Sequence, residues 1–438
     1  MTGRGLIGAC LALSLLAACG DQDVILPGER LDIRDGMAGQ DAGEAMAGAR
    51  PISLPAQQAN ADWTHRGGSA THFLTHPALG ATLAPLFSVE IGEGNSRRAR
   101  ISADPVIADG RVFTYDARAQ VSAFTTGGAA LWTIDITPPN DRSVDASGGG
   151  LAVAGGTLYV STGFGELLAV DAATGAERWS QDLNAPGNSA PTVRGDLVYV
   201  VGRDSRAWAV ERADGRVRWT IAGTPPGANF FGGAGAAVTS TMAVIPFPSG
   251  EVIGAFPEGG LRRWSSNIEG DREGFAVSIA AQDIASDPVI AGNVVFAGNV
   301  SGRLVAMDVQ TGDRLWTATE GATSPVAAAG GSVFFINDLN QLVRRSAADG
   351  SLIWRQPMPL IEEGEFWERP TRFVHYGPVL AGGRLIVASS DGNIRQFDPV
   401  SGNLVGVVPL PGGAASNPAV AGGVLYIVSQ DGRLQAFR

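Results

Sequence analysis

The 438-residue sequence contains no lysine, because all 32 basic residues are arginine. That excludes Schiff-base catalysis and any phosphate-binding loop that depends on a Gly-Lys-Ser/Thr ending. Cysteine is nearly missing too. Cys10 and Cys19 are the only two, both within the first twenty residues, so the rest of the chain can form no disulfide, thiol nucleophile or cysteine metal site. Charged residues make up only 17% and aromatics 7%. A net charge of −11 leaves no basic face for nucleic acid. The apolar run at residues 6–18 is too short to span a bilayer. What is abundant is glycine, at 60 residues, as expected of many short strands joined by tight turns in an all-β chain.

Residues 1–18 read as a signal peptide, with Arg4 ahead of the apolar run. The run ends in Leu16-Ala17-Ala18-Cys19, which resembles the lipobox of bacterial lipoproteins. That resemblance implies lipidation of Cys19. Gly20 in place of aspartate implies delivery to the outer membrane, on its periplasmic face. Residues 21–62 hold no aromatic side chain and are rich in Gly, Ala, Asp and Gln. Residues 19–62 are therefore expected to be the lipidated cysteine and a flexible tether, with order beginning at Trp63.

Residues 63–438 repeat. Ala169-Val170-Asp171-Ala172-Ala173-Thr174-Gly175-Ala176-Glu177-Arg178-Trp179 and the stretch from Ala306 to Trp316 share the pattern Ala-x-Asp-x-x-Thr-Gly-x-x-x-Trp. Looser copies end at Trp132, Trp219, Trp264 and Trp354, with Phe87 and Gly406 in the same slot. Successive slots are 45, 47, 40, 45, 52, 38 and 52 residues apart, the period of a four-stranded propeller blade. Second-strand signatures begin near Val112, Leu158, Val198, Met242, Val294, Val333, Leu385 and Leu425, giving eight blades. The last unit ends at Arg438 before any outer strand, so the strand around Leu86 is expected to complete it. The expectation is an eight-bladed β-propeller of four-stranded antiparallel blades, closed by its N- and C-terminal strands. The six tryptophans Trp132, Trp179, Trp219, Trp264, Trp316 and Trp354 are expected to lie between blades.

These repeats resemble the tryptophan-docking motif of the quinoprotein-type (PQQ-like) propellers, a superfamily of dehydrogenases and non-catalytic members. With the lipobox, tether and eight blades, the chain is similar to the BamB family of outer-membrane β-barrel assembly lipoproteins. That resemblance implies a scaffold without catalysis or cofactor, monomeric within a larger complex. The implied partners are the POTRA domains of the barrel protein BamA and unfolded outer-membrane proteins. It also places the contact on loops of one face. Asp283, five residues before Pro288, matches the first of the family's aspartate pair, while Ala285 departs from the second. The family's Leu-x-Leu-Arg segment falls near Ala228-Asn229-Phe230-Phe231, where Phe230 keeps an apolar position and the arginine is missing.

The residues alone point to the same loops. Connections at about 221–234, 268–284 and 356–375 are the longest, and all join an outer strand to the next inner strand. Phe230 and Phe231 would form either an apolar anchor or a cover over the channel mouth. Asp116, in a turn after a second strand, is expected on the opposite face. His65, His72 and His76 match no common zinc spacing and read as structural packing. Arg97, Arg98 and Arg100 read as a solvated loop or as a contact for an acidic partner or lipid headgroups. Glu362, Glu363, Glu365 and Glu368 around Phe366 and Trp367 read as a solvated or partner-facing run rather than an acid–base pair. Two alternatives remain: a scaffold for another envelope machinery, and a PQQ dehydrogenase. The absence of a disulfide and the shortness of the blades count against the dehydrogenase.

Overall fold

The computed structural model describes residues 48–438 except 188, 226–232, 269, 271–283, 285 and 362–371. Within them the chain forms eight four-stranded antiparallel sheets and only two single-turn 3₁₀ helices. Seven blades are consecutive, spanning 106–135, 149–182, 192–222, 237–267, 289–318, 327–357 and 375–409. The eighth joins the three strands of 419–437 to the N-terminal strand Pro85–Glu90, which pairs with Arg433–Phe437. The N- and C-terminal strands thus close the ring, as expected, and the third strand Arg433–Phe437 is not left as an open edge.

Second strands are buried on both faces, and several read as near-continuous apolar runs, as in Leu197–Val201 and Val424–Ser429. Third strands are mostly buried but admit Arg344 and Arg345 in blade 6 and Arg395 in blade 7. The fourth strands alternate between exposed and half-buried residues. Every fourth strand carries a β-bulge one residue before its tryptophan slot, as at Ala169↔Trp179 followed by Val170↔Glu177. The extra residue re-aims the next side chain toward the neighbouring blade.

There the indole lies on the turn glycine of the following blade. A Cβ on Gly175, Gly215, Gly260, Gly312, Gly350 or Gly402 would come within 3.0 Å of the ring of the preceding tryptophan. These glycines have φ near +70°, so both space and backbone conformation exclude a side chain. Five of the indoles donate Nε1–H to the next blade, from Trp132 to the Ala172 carbonyl (3.2 Å) through Trp316 to Ala347 (2.9 Å). The turn is built by its aspartate. Asp171 Oδ1 accepts from the N–H groups of Ala173 and Thr174 and from the Thr174 hydroxyl. Arg178 first, and then Thr174, hold this carboxyl well below the usual carboxylate range.

Blade 7 breaks the pattern, with a physical reason. Blade 8 takes its outer strand from Pro85–Glu90, so no Asx-x-x-Thr-Gly turn joins its third and fourth strands and a tryptophan at 406 would have no such turn to dock on. Gly406 stands there against the side chain of Gln396. Gln396 is in turn held by Arg384, whose guanidinium also donates to the Gly80 carbonyl.

Contacts with the ring begin before Trp63. Ile52 and Leu54 pack on the core between blades 6 and 7, and the Arg50 carbonyl accepts from Arg344 of blade 6. Asn60 bonds Val420 and Gly422 of blade 8, and Trp63 exchanges both backbone hydrogen bonds with Ile107 of blade 1. The Thr64 carbonyl accepts from Val153, His65 Nε2 from Val193, the Ala70 carbonyl from Val238 and that of Thr71 from Ile290, taking in blades 2 to 5. His76 and Pro77 then accept from Gly383 and Gly382 of blade 7. Residues 50–84 therefore form a strap that touches all eight blades. The composition of 50–62 suggested a tether because it offers few apolar side chains. Isolated contacts hold it instead: the packing of Ile52 and Leu54, the Arg344 guanidinium on the Arg50 carbonyl, and the Asn60 side chain and carbonyl on Val420 and Gly422.

Candidate partner-binding face

Strand direction assigns the two rims of the ring. Each inner strand starts at an interblade connection, so the connections share one rim with the turns between second and third strands. The stems of the three long connections confirm this. Thr224 donates to Glu251, and Ile268 N–H donates to the Gly250 carbonyl, both in that turn region of blade 4. Asn299 and Ser301 of blade 5 donate to the Ile268 and Gly270 carbonyls. Arg372 donates to Asp338 and Asn340 of blade 6. The first two stems are tied together, since Gly235 N–H donates to Asp287 Oδ1 over 2.6 Å.

Phe230, Phe231, Asp283 and Ala285 lie outside the described residues, as do Glu362, Glu363, Glu365, Phe366, Trp367 and Glu368. The placement of Asp116 is corrected. It sits in the turn after the second strand of blade 1, on the same rim as the long connections. It is buried, accepting from the N–H groups of Glu93, Arg118 and Gln120. Burial pushes its carboxyl up, against those three donors. Arg97, Arg98 and Arg100 are exposed on the connection into blade 1, on this same rim.

Beneath the rim is a polar collar that sequence reasoning missed. The residue before the proline that opens an inner strand bonds to the preceding blade. Asn417 N–H and Nδ2 donate to Asp104 (2.7 and 2.9 Å), Gly377 N–H to Asn417 Oδ1 and Gly235 N–H to Asp287. Arg66 reaches from the strap between the two acids, 2.8 Å from Asp104 and 3.5 Å from Asp287. Burial pulls its guanidinium down, but Asp287 and Asp104 together raise it above the ordinary value. The legible signal was the recurrence of Asp or Asn before proline at 104, 287 and 417.

His65 and His72 meet neighbouring residues of blade 3, Val193 and Thr192, whereas His76 lies apart, against Pro55 and Gly383. His65 Nε2 accepts from Val193 and its Nδ1 faces the Thr64 hydroxyl, while His72 Nδ1 meets the Pro288 carbonyl and His76 Nδ1 the Pro55 carbonyl. Burial, then His72, lower the His65 pKa to about 3, so it stays a neutral acceptor. Between the strap and blades 6 to 8 remains a cavity of about 40 Å³, lined among others by Trp63, Arg66, Phe73, Val326 and Asn417. That is room for a few waters, far below the several hundred Å³ of a cofactor pocket. The arrangement supports presentation of loops on a rigid ring.

The family profile described as outer membrane protein assembly factor BamB matches residues 117–356 and 349–438. Outer membrane protein assembly factor BamB of Yersinia pestis is 24% identical over 299 residues, covering 67% of this chain and 73% of that protein. The protein of the same name from Escherichia coli K12 is 23% identical over 305 residues, covering 69% and 75%. Among solved structures, BamB from Moraxella catarrhalis superposes with a TM-score of 0.68 at 19% identity, over 82% of this chain and all of that one. A quinohemoprotein alcohol dehydrogenase from Comamonas testosteroni reaches 0.65 at 14% identity, over 86% and 80%. The two structural likenesses are nearly equal and show the fold alone, so the family profile is what separates them.

Proposed function

The chain belongs to the family of outer membrane protein assembly factor BamB, and from that premise we propose that it is a non-catalytic scaffold for assembling outer-membrane β-barrel proteins. Cys19 carries the lipid that holds it to the periplasmic face of the outer membrane. The partner is the POTRA region of BamA, bound by the connections that contain Phe230, Phe231 and Asp283. The observation that carries this reading is the convergence of all three long-connection stems on one rim of a rigid ring. Preformed contacts on such a ring lose little entropy on binding. The dehydrogenase alternative has less support, because the channel where a ring could enclose a cofactor is occupied by the strap.

The test is co-purification of BamA from detergent-solubilised envelopes. Phe230→Glu places a charge in a desolvated contact and is expected to abolish BamA recovery, while Asp283→Arg weakens it in a salt-dependent way. Asp214→Arg serves as control, since Asp214 lies in a third-to-fourth strand turn on the opposite rim and pairs with the exposed Arg216. Loss of BamA from the Asp214 variant with retention by the Phe230 variant would place the interface on the wrong rim.

A further inference from the structure

Among the described residues, every blade ends in an outer strand whose far edge has no strand beside it. Such an edge leaves alternate backbone N–H and C=O groups open to pairing, and proteins protect it with charge or polar side chains. Seven of the eight outer strands follow that rule. At the position after the tryptophan slot they place Thr133, Ser180, Thr220, Ser265, Thr317 and Ser88, with Arg355 in blade 6. Blade 7 does not. Its outer strand Leu404–Pro409 contains no ionisable residue, and Val407 stands where the others have a hydroxyl or guanidinium. The bulge shared by all blades turns Val405 outward beside it, leaving Val405 59% and Val407 49% exposed, with Leu404 49% exposed before them.

We propose that the outer strand of blade 7 is a docking edge for an extended polypeptide strand whose facing side chains are apolar at alternate positions. The open groups are backbone donors and acceptors, so the occupant must present an extended backbone. The exposed valines select apolar side chains at a period of two. A transmembrane strand of an unfolded β-barrel has that pattern. Naming it as the source rests on the assembly reading above, whereas the edge and its chemistry do not.

The experiment uses the purified chain and a fluorescein-labelled decapeptide of alternating valine and threonine, read by fluorescence anisotropy. The wild type is expected to bind. The double variant Val405→Glu/Val407→Glu should bind at least tenfold more weakly, and Val407→Thr, which gives blade 7 the residue type of its neighbours, several-fold more weakly. Leu315→Glu, on the outer strand of blade 5, should stay within twofold of wild type. A decapeptide with proline at every second position should not bind, because it lacks the donors. Equal binding by wild type and double variant overturns the proposal, as does failure of the wild type to bind. So does sedimentation showing a wild-type dimer that the double variant dissolves, since the occupant would then be a second copy. Because BamA is not in the assay, a negative result leaves the BamA reading intact, and loss of BamA co-purification leaves the peptide result intact.

Discussion

His65 provides a quantitative test of the strap. Its ring is buried in the channel, accepts a hydrogen bond from Val193 N–H at Nε2 and has a pKa lowered to about 3. In the unfolded chain a histidine titrates near 6.5. As the pH falls below 6.5 the unfolded state takes up a proton that the folded state refuses. Stability supplied by this site is therefore complete above about 6.5 and lost progressively toward 3. Between pH 7.5 and 5 the linkage amounts to about 2 kcal/mol, from a ratio of proton-binding polynomials near 30. His65→Gln keeps an acceptor for Val193 without the titration. It is expected to lose about 1 kcal/mol at pH 7.5, for the hydrogen bond with Thr64, and then to lose about 2 kcal/mol less than wild type on acidification. Urea unfolding at both pH values measures the double difference, which cancels the acid sensitivity of other groups, including His375, whose pKa burial also lowers. A double difference below about 0.5 kcal/mol would show that His65 takes up its proton in the fold, and the account of the filled channel would fail.

Arg66→Met removes the cation between the buried carboxylates of Asp104 and Asp287, and should cost about 3–5 kcal/mol at neutral pH, measured by the same unfolding assay. A loss under about 1 kcal/mol would mean that the strap does not deliver Arg66 to the collar. Cys19→Ala should move the protein from the outer-membrane fraction to the soluble periplasm on fractionation of cells lacking BamA; recovery with the membrane would contradict lipid attachment at Cys19.

The ring was legible in the sequence because its parts are local. Asp171, Thr174 and Gly175 specify a turn within five residues, and Trp179 follows at fixed spacing, so one blade can be read without its neighbours. Its aromatic packing was less visible. Trp179 meets Tyr159 of its own second strand at 6.0 Å, and Trp219 meets Tyr199 at 5.8 Å, across about 20 residues of chain. The strap was legible only in part, as ordered chain from Trp63 with structural histidines, and its course past the blades was not. Its partners lie hundreds of residues away, as Asn60 to Val420 and Arg50 to Arg344 show, and most of its bonds use backbone groups, which leave no mark on composition. Asp116 was misplaced because the rim of a turn follows from strand direction, and the sequence marks only that a turn exists.

The irregularities at the seam between blades 7 and 8 follow from one fact. A ring closed by the N-terminal strand must end its last repeat after three strands, which removes the turn that would receive a tryptophan from blade 7. Without that turn, selection for an aromatic at 406 disappears and glycine is tolerated. The missing contact is replaced by Arg384, which reaches Gln396 on one side and the strap at Gly80 on the other. The strap's last turn past blade 7 is thus part of how the ring closes. The same loss of a tryptophan leaves the outer strand of blade 7 free to differ from the other seven. It differs by placing Val407 where the other seven have a hydroxyl or a guanidinium, and by having no ionisable residue.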